Sequence, residues 1–97
     1  MMKHIKVELL LRVENNSKFV RGRKRSVEEI ERWVLSRYNM RKIFKDGDEY
    51  ELTIPYENDE ELDDIIYGMI QEAANIADYH HCFIESDVID MDSDRSW

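Results

Sequence analysis

Two hydrophobic periods occur in this chain, and their order constrains the fold more than any other feature. Residues 5–13 alternate between apolar and mostly polar side chains, the two-residue period of a β-strand with one buried face. Residues 62–77 carry apolar side chains at spacings of three and four, the stripe of an amphipathic helix. Together they predict an α+β domain, in which a helix covers one face of a sheet.

Both predicted helices have N-terminal caps in the sequence. Ser26 followed by Glu29 forms a capping box, in which the serine oxygen accepts a backbone amide and the glutamate reaches back. Asn58 followed by Glu61 repeats this arrangement, and acidic residues in the next turn suit the positive end of a helix dipole. We therefore expect a first helix from Ser26 to about Asn39 and a second helix after Asn58.

The sequence also predicts the surroundings of two residues within these helices. Trp33 lies on the apolar stripe of the first helix and is expected in the core. Gly68 stands in the middle of the second helix, where glycine has a low propensity. Close approach of another backbone would explain it.

The remaining segments complete a strand, helix, strand, strand, helix, strand order. Residues 50–56 alternate as a strand, and Asp46-Gly47 favours a hairpin turn before it. Residues 82–91 form a last strand, in which a bulge near Asp87 would reconcile two phases of apolar residues. The prediction is a ferredoxin-like split βαβ fold: a four-stranded antiparallel sheet with both helices on one face. If residues 41–44 form a loop, the sheet has three strands.

The length and composition predict one domain. Ninety-seven residues support a single core, expected within residues 1–91 and followed by a mobile acidic tail at 92–97.

A single cysteine, Cys82, excludes an internal disulfide and favours the reducing cytoplasm. No apolar run reaches the length of a membrane span. The net charge of −8 disfavours general binding to nucleic acid or to an anionic membrane.

The charge is divided by sequence position. Residues 1–45 contain thirteen of the fourteen Lys and Arg residues and only five of the twenty-two acidic residues. Residues 46–97 contain one arginine and seventeen acids. This division predicts two faces of opposite sign, each able to steer a different partner.

The basic half concentrates its charge before the first predicted helix. The predicted loop over residues 15–25 carries five cations within eight positions: Lys18, Arg21, Arg23, Lys24 and Arg25. Such a cluster binds phosphate or an acidic protein surface, with help from helix amides. It is equally compatible with a solvated loop or with one folded onto the chain's own acidic half. Nucleic acid is the weaker interpretation because the remaining surface repels phosphate.

The acidic half concentrates its charge at the start of the second helix. The candidate contact residues there are Asp59, Glu60, Asp63 and Asp64. They could bind a basic protein, or imitate the phosphates of DNA and so block a DNA-binding protein. The alternative without a binding role is a helix face that only increases solubility.

Other residue types in the chain do not form a chemical motif. His80, His81 and Cys82 are zinc-ligand types, but three adjacent residues cannot converge on one tetrahedral ion without strain. No acid–base pair or nucleophile motif is present, so we expect no cofactor, no metal and no catalysis. Trp97 should dock either on its own domain or on a partner.

The segment Tyr50–Leu62, together with His81–Glu85, resembles short uncharacterised proteins carried on bacterial mobile elements. The resemblance covers the C-terminal half, implies a bacterial cytoplasmic accessory protein, and assigns no activity or site residue. The charge division therefore decides the functional prediction. We expect a non-enzymatic binding or regulatory module that contacts another protein or a second copy of itself. The alternative is an acidic DNA mimic that inhibits a nucleic-acid-binding protein.

Overall fold

A computed structural model describes residues 2–15, 22–43 and 49–97 of the chain. The elements, in chain order, are β1 (Lys3–Asn15), α1 (Gly22–Trp33), a short 3₁₀ helix (Leu35–Tyr38), β2 (Arg41–Lys42), β3 (Glu49–Tyr56), α2 (Asp59–Tyr79) and β4 (Cys82–Asp90). The predicted α+β class and βαββαβ order are confirmed. The segment that could have been a loop contains the two-residue strand β2, while the predicted Asp46-Gly47 turn lies outside the described residues.

The four strands form one antiparallel sheet in the order β2-β3-β1-β4. Each long helix connects two strands that are separated in the sheet by a third, because α1 leads from β1 to β2 and α2 leads from β3 to β4. The long strand β1 lies in the centre and pairs with both β3 and β4. β4 therefore forms one edge of the sheet, and the much shorter β2 forms the other.

One face of the sheet forms the core with both helices. The alternation in β1 sends Ile5, Val7, Leu9, Leu11 and Val13 inward, and all five are buried. The helices contribute Ile30 from α1 and, from α2, the buried stripe Leu62, Ile66, Met69, Ala73 and Ala77. The opposite face of the sheet has no helix among the described residues.

The start of α1 differs from the prediction. α1 begins at Gly22, four residues earlier than expected, so Ser26 is a buried residue inside the helix and does not form the predicted capping box. Its hydroxyl donates a hydrogen bond to the Sγ of Cys82, 3.5 Å away. The sequence rule failed because serine satisfies its hydroxyl equally well through a tertiary contact.

Two further predictions about α1 need correction. Trp33 is 63% exposed and not in the core, because Ile30 and Val34 occupy the positions that face the sheet. α1 itself ends at Trp33, and the 3₁₀ helix that follows ends at Tyr38, with Asn39 as its C-cap. Asn39 has a φ of 52°, a left-handed conformation that asparagine tolerates better than most residues. The predicted stop at Asn39 therefore terminates the second of two consecutive helical segments.

The Asn58 cap of α2 is confirmed. Its Oδ1 accepts a hydrogen bond from the amide of Glu61 at 2.9 Å, which satisfies one of the free donors at the helix start. Gly68, in contrast, has no described residue within 4 Å of the position where a Cβ would stand. The predicted close approach of another backbone at Gly68 is therefore wrong.

Asn58→Ala is expected to lower the free energy of unfolding by about 1 kcal/mol, since it removes the only side-chain acceptor described for this helix start. Asn58→Asp is the matched control and should lose little, because aspartate caps helices about as well as asparagine. Urea unfolding followed by circular dichroism measures both changes. Equal losses in the two variants would contradict a capping role.

β4 is regular, without the bulge predicted near Asp87. Its register with β1 is unbroken from Val7 opposite Asp90 to Asn15 opposite Cys82. Ile89 and Met91 are exposed. Ile89 alternates with Val88 and so lies on the open face of the sheet. The two phases of apolar residues thus reflect two faces of one strand.

Residues 92–97, expected to form a mobile acidic tail, fold back along the edge of β4. Asp90 organises the turn, since its carboxylate accepts hydrogen bonds from the amide of Asp92 and the hydroxyl of Ser93. The backbone of Trp97 then pairs with Val88, its amide donating to the Val88 carbonyl at 2.9 Å. The segment is therefore part of the domain.

Candidate functional site

The first turn of α1 forms a basic surface, defined here as Arg23, Lys24 and Arg25. All three residues are exposed, and they lie in the helix instead of the predicted loop. Lys18 and Arg21, the other predicted members of this cluster, lie outside the described residues.

Arg23 differs from its two neighbours because it is tied to the end of β1. Its Nε donates to the carbonyl of Val13 at 2.9 Å, and its amide donates to Asn15 Oδ1 at 2.7 Å. Lys24 and Arg25 form no ion pair with any residue of the described ranges. These two cations are therefore the available part of the basic surface.

The position of the basic surface is electrostatically unfavourable for α1. No acidic residue occurs in the first turn of this helix, whose dipole places partial positive charge there. Each exposed cation in such a turn typically costs a few tenths of a kcal/mol. The presence of Lys24 and Arg25 at the start of α1 is therefore not explained by a contribution to the stability of this helix.

The first two turns of α2 form an acidic surface, defined here as Asp59, Glu60, Glu61, Asp63 and Asp64. Asp59 pairs with Arg95 at 3.5 Å, and Asp63 accepts a hydrogen bond from the indole nitrogen of Trp97 at 2.7 Å. Glu60 and Asp64 are exposed and pair with no cation in the described part of the chain. Unlike the basic surface, these acids stabilise their own helix through its dipole.

Trp97, a predicted partner anchor, docks on its own domain beside the acidic surface. Its partly buried ring packs against the core, and the guanidinium of Arg95 lies 4.8 Å from the ring centroid. The Nε of Arg95 is buried, and no described residue accepts a hydrogen bond from it. The chain thus covers part of its acidic surface with its own arginine and tryptophan.

The basic and acidic surfaces lie at opposite ends of α2. A Cβ added to Gly22 would overlap the carbonyl oxygen of His80, so α1 begins beside the last turn of α2. Because α2 contains 21 residues, its two ends are roughly 30 Å apart. Exposed charges at that distance are screened from each other, since the Debye length is about 8 Å at physiological salt. Lys24 and Arg25 therefore do not neutralise Glu60 and Asp64 within one chain.

Elsewhere the basic and acidic halves of the sequence do pair. Arg37 pairs with Glu72, and Glu51 pairs with both Arg41 at 3.1 Å and Lys6 at 3.8 Å. These contacts are exposed or half-exposed, so each contributes little to stability. They pair Glu51 of β3 and Glu72 in the middle of α2 with cations, whereas the two surfaces at the ends of α2 lie outside these pairs.

The polar residues around Cys82 have a packing role. The Cys82 thiol receives the Ser26 hydrogen bond and lies 3.6 Å from the backbone oxygen of His80. The His80 ring instead faces Glu29, with 2.8 Å between Nε2 and Oε2. In the described residues, no three His, Cys, Asp or Glu side chains meet as a metal site would require. The cluster joins the start of α1 to the end of α2.

Several large apolar residues are exposed. Tyr67 and Tyr79 lie exposed on α2. Phe83, 63% exposed on the open face of β4, was not predicted. The alternation of β4 could have predicted this exposure, because Phe83 and Ile89 both occupy odd-numbered positions, which face away from the core.

Comparison of the chain with protein-family models, with curated proteins and with solved structures finds no match. The resemblance to proteins of bacterial mobile elements therefore stays a prediction. Within residues 2–15, 22–43 and 49–97, neither helix combines the length and apolar character that crossing a membrane requires.

Proposed function

We propose that the chain is a non-enzymatic binding or regulatory module whose basic and acidic surfaces each contact a partner of opposite charge. The observation that carries this proposal is the placement of Lys24 and Arg25. Both are exposed in a helix turn that disfavours cations, and neither has an ionic partner among the described residues. An acidic protein surface would supply the missing counter-charge.

The separation of the two surfaces supports this proposal. Because they are roughly 30 Å apart, each presents its own field to a partner at physiological salt. A field of one sign accelerates the encounter with an oppositely charged protein more than it tightens the final complex. Binding through these surfaces should therefore weaken as salt is added.

The acidic surface offers a second contact, with Glu60 and Asp64 as its available residues. A basic protein would fit it, and so would the basic surface of a second copy of the chain. Head-to-tail contact of this kind joins two different patches, so it produces rings or filaments unless the rotation closes. Sedimentation at low and at high salt distinguishes such self-assembly from binding to another protein.

The DNA-mimic alternative receives less support from α2. A mimic requires acids at regular intervals along an exposed face. The middle of that face instead carries Tyr67, Gly68, Gln71 and Asn75, and the last two hydrogen-bond to each other at 3.0 Å. Five of the seven acids of α2 lie in its first two turns, and Glu72 pairs with Arg37. This distribution suits a local protein contact better than the imitation of a duplex.

Reversing two charges tests the proposal. The double variant Lys24→Glu with Arg25→Glu should lose at least about tenfold in affinity for a salt-sensitive partner captured from bacterial extract. Its unfolding temperature should be unchanged or slightly higher, because the new acids suit the start of α1. Arg23 is left intact because it bonds to the end of β1. Affinity and thermal unfolding are measured on the same preparations.

Lys3→Glu with Arg32→Glu is the matched control. It changes the net charge by the same amount at two exposed cations outside the basic surface. This control should retain the partner. If the double variant of the basic surface captures the same proteins as the control, the proposed role of Lys24 and Arg25 is wrong.

A further inference from the structure

The outer edge of β4 is only half covered. Arg95, Ser96 and Trp97 pair along its second half, where the amide of Asp90 donates to the Arg95 carbonyl at 2.9 Å and Trp97 bonds to Val88. Successive residues of a strand direct their amides to opposite sides. The backbone amides of Val88 and Asp90 point away from β1, so the amides of Ile84 and Ser86 point the same way.

Among the described residues, the amides and carbonyls of Ile84 and Ser86 have no backbone partner on that side. Within the described ranges, no residue beyond the β1–β4 ladder forms a backbone hydrogen bond with either of them. In the described part of the chain, backbone pairing along this edge therefore covers Val88 and Asp90 and leaves Ile84 and Ser86 without such hydrogen bonds. An edge of this kind is a template for an incoming strand.

The open face beside this edge has a small pocket. Phe83, Ile84 and Glu85 line it together with Arg12 and Glu14 of β1, and its volume is about 40 Å³. The pocket combines an aromatic side chain with two carboxylates and one cation. It suits a side chain with an apolar stem and a positive end, such as lysine or arginine.

The charges on β4 select among possible occupants of the edge. Glu85 and Asp87 are exposed on the open face, next to the free groups of Ile84 and Ser86. If two copies paired antiparallel through both free residues, Glu85 would face Glu85 of the other copy, and like charges directly opposite are destabilising. A basic segment placed at the same edge would instead gain opposite-charge pairs.

We propose that the free edge of β4 at Ile84–Ser86 binds an extended, basic segment of a partner protein by strand addition. The segment adds a strand beside β4, exchanges backbone hydrogen bonds with Ile84 and Ser86, and directs its cations toward Glu85 and Asp87. Backbone hydrogen bonds supply the affinity, and the pocket beside Phe83 selects the side chain that the segment places there. This surface is separate from those of the proposed function and does not depend on them.

The first test uses the unsubstituted chain and a short peptide of alternating lysine and valine. Saturation with this peptide should slow amide hydrogen exchange at Ile84 and Ser86 by at least about tenfold, as new backbone hydrogen bonds protect both amides. A peptide of alternating glutamate and valine should leave both rates unchanged. Unchanged rates with the basic peptide, or equal protection by the acidic one, would overturn the proposal.

The second test uses Ser86→Pro, which removes the outward amide of Ser86 without touching a β1–β4 hydrogen bond. Affinity for the basic peptide should fall about tenfold or more, whereas Ser86→Ala, which keeps the amide, should bind as before. Asp87→Lys, opposite the apolar Leu10, should also bind more weakly. Equal affinity of the proline and alanine variants contradicts strand addition. A dimer that Ser86→Pro abolishes and Ser86→Ala keeps would make a second copy the occupant of the edge, and would overturn the proposed basic segment. If Ser86→Pro does not fold, the exchange measurement decides.

Discussion

Tyr50→Ala is expected to lower the free energy of unfolding by about 3–5 kcal/mol, which is a large part of the stability of a domain this size. Tyr50 is only 1% exposed and lies on β3 directly opposite Leu9 of β1. Its hydroxyl donates to Glu31 Oε2 at 2.8 Å, and the same carboxylate oxygen pairs with Lys42 at 3.2 Å. Truncation would leave a cavity and would also remove a partner of Glu31.

Tyr50→Phe separates these two contributions. It keeps the ring in the core and removes only the hydroxyl, so the expected loss is about 1 kcal/mol. Glu31 retains Lys42, whose Nζ also lies 5.7 Å from the ring centroid of Tyr50. Urea unfolding at constant pH measures both variants. Similar losses for phenylalanine and alanine would show that the hydrogen bond, and not the packing of the ring, dominates at this site.

Gly22→Ala is expected to destabilise the chain by about 2–3 kcal/mol, although alanine normally favours helices. The added Cβ would overlap the carbonyl oxygen of His80 and lie 2.9 Å from the Sγ of Cys82. The first of these atoms belongs to the backbone, so it cannot be relieved by a side-chain rotation. The start of α1 would have to move away from the end of α2, and the Ser26–Cys82 hydrogen bond would weaken with it.

Gly68→Ala is the matched control, with the opposite expected sign. No atom of the described chain lies within 4 Å of its Cβ position, so the substitution should stabilise α2 by about 0.5–1 kcal/mol. Thermal and urea unfolding of the two alanine variants measure the contrast. If Gly22→Ala were as stable as Gly68→Ala, α1 and α2 would not be in close contact at Gly22.

The residues that decide stability and those proposed to bind are separate. Tyr50 and Gly22 act inside the core or at the contact between helices. Lys24, Arg25 and the edge of β4 lie on the surface. Variants of the second group are therefore expected to change binding without unfolding the chain, and this makes the functional proposals testable in solution.

The sequence predicted the elements in which apolar residues recur at a regular spacing. The alternation in β1 and the long apolar stripe of α2 gave the element order, since a residue's neighbours at two or four positions share its face. The Asn58 cap was predicted because its donor, the amide of Glu61, is three residues away. Predictions that relied on a single residue were less secure. Ser26 satisfied a local capping rule yet bonds to Cys82, which is distant in sequence.

The sequence by itself determined the α+β class, the order of the elements, the cap of α2 and the division of charge. All of these follow from residue type and spacing within one segment, and so do not depend on how segments meet. Only the tertiary structure placed the basic and acidic surfaces at opposite ends of α2, turned the segment at 92–97 back onto β4, and left Ile84–Ser86 without a pairing strand among the described residues. These features depend on contacts between residues far apart in sequence, whose energies no local period records.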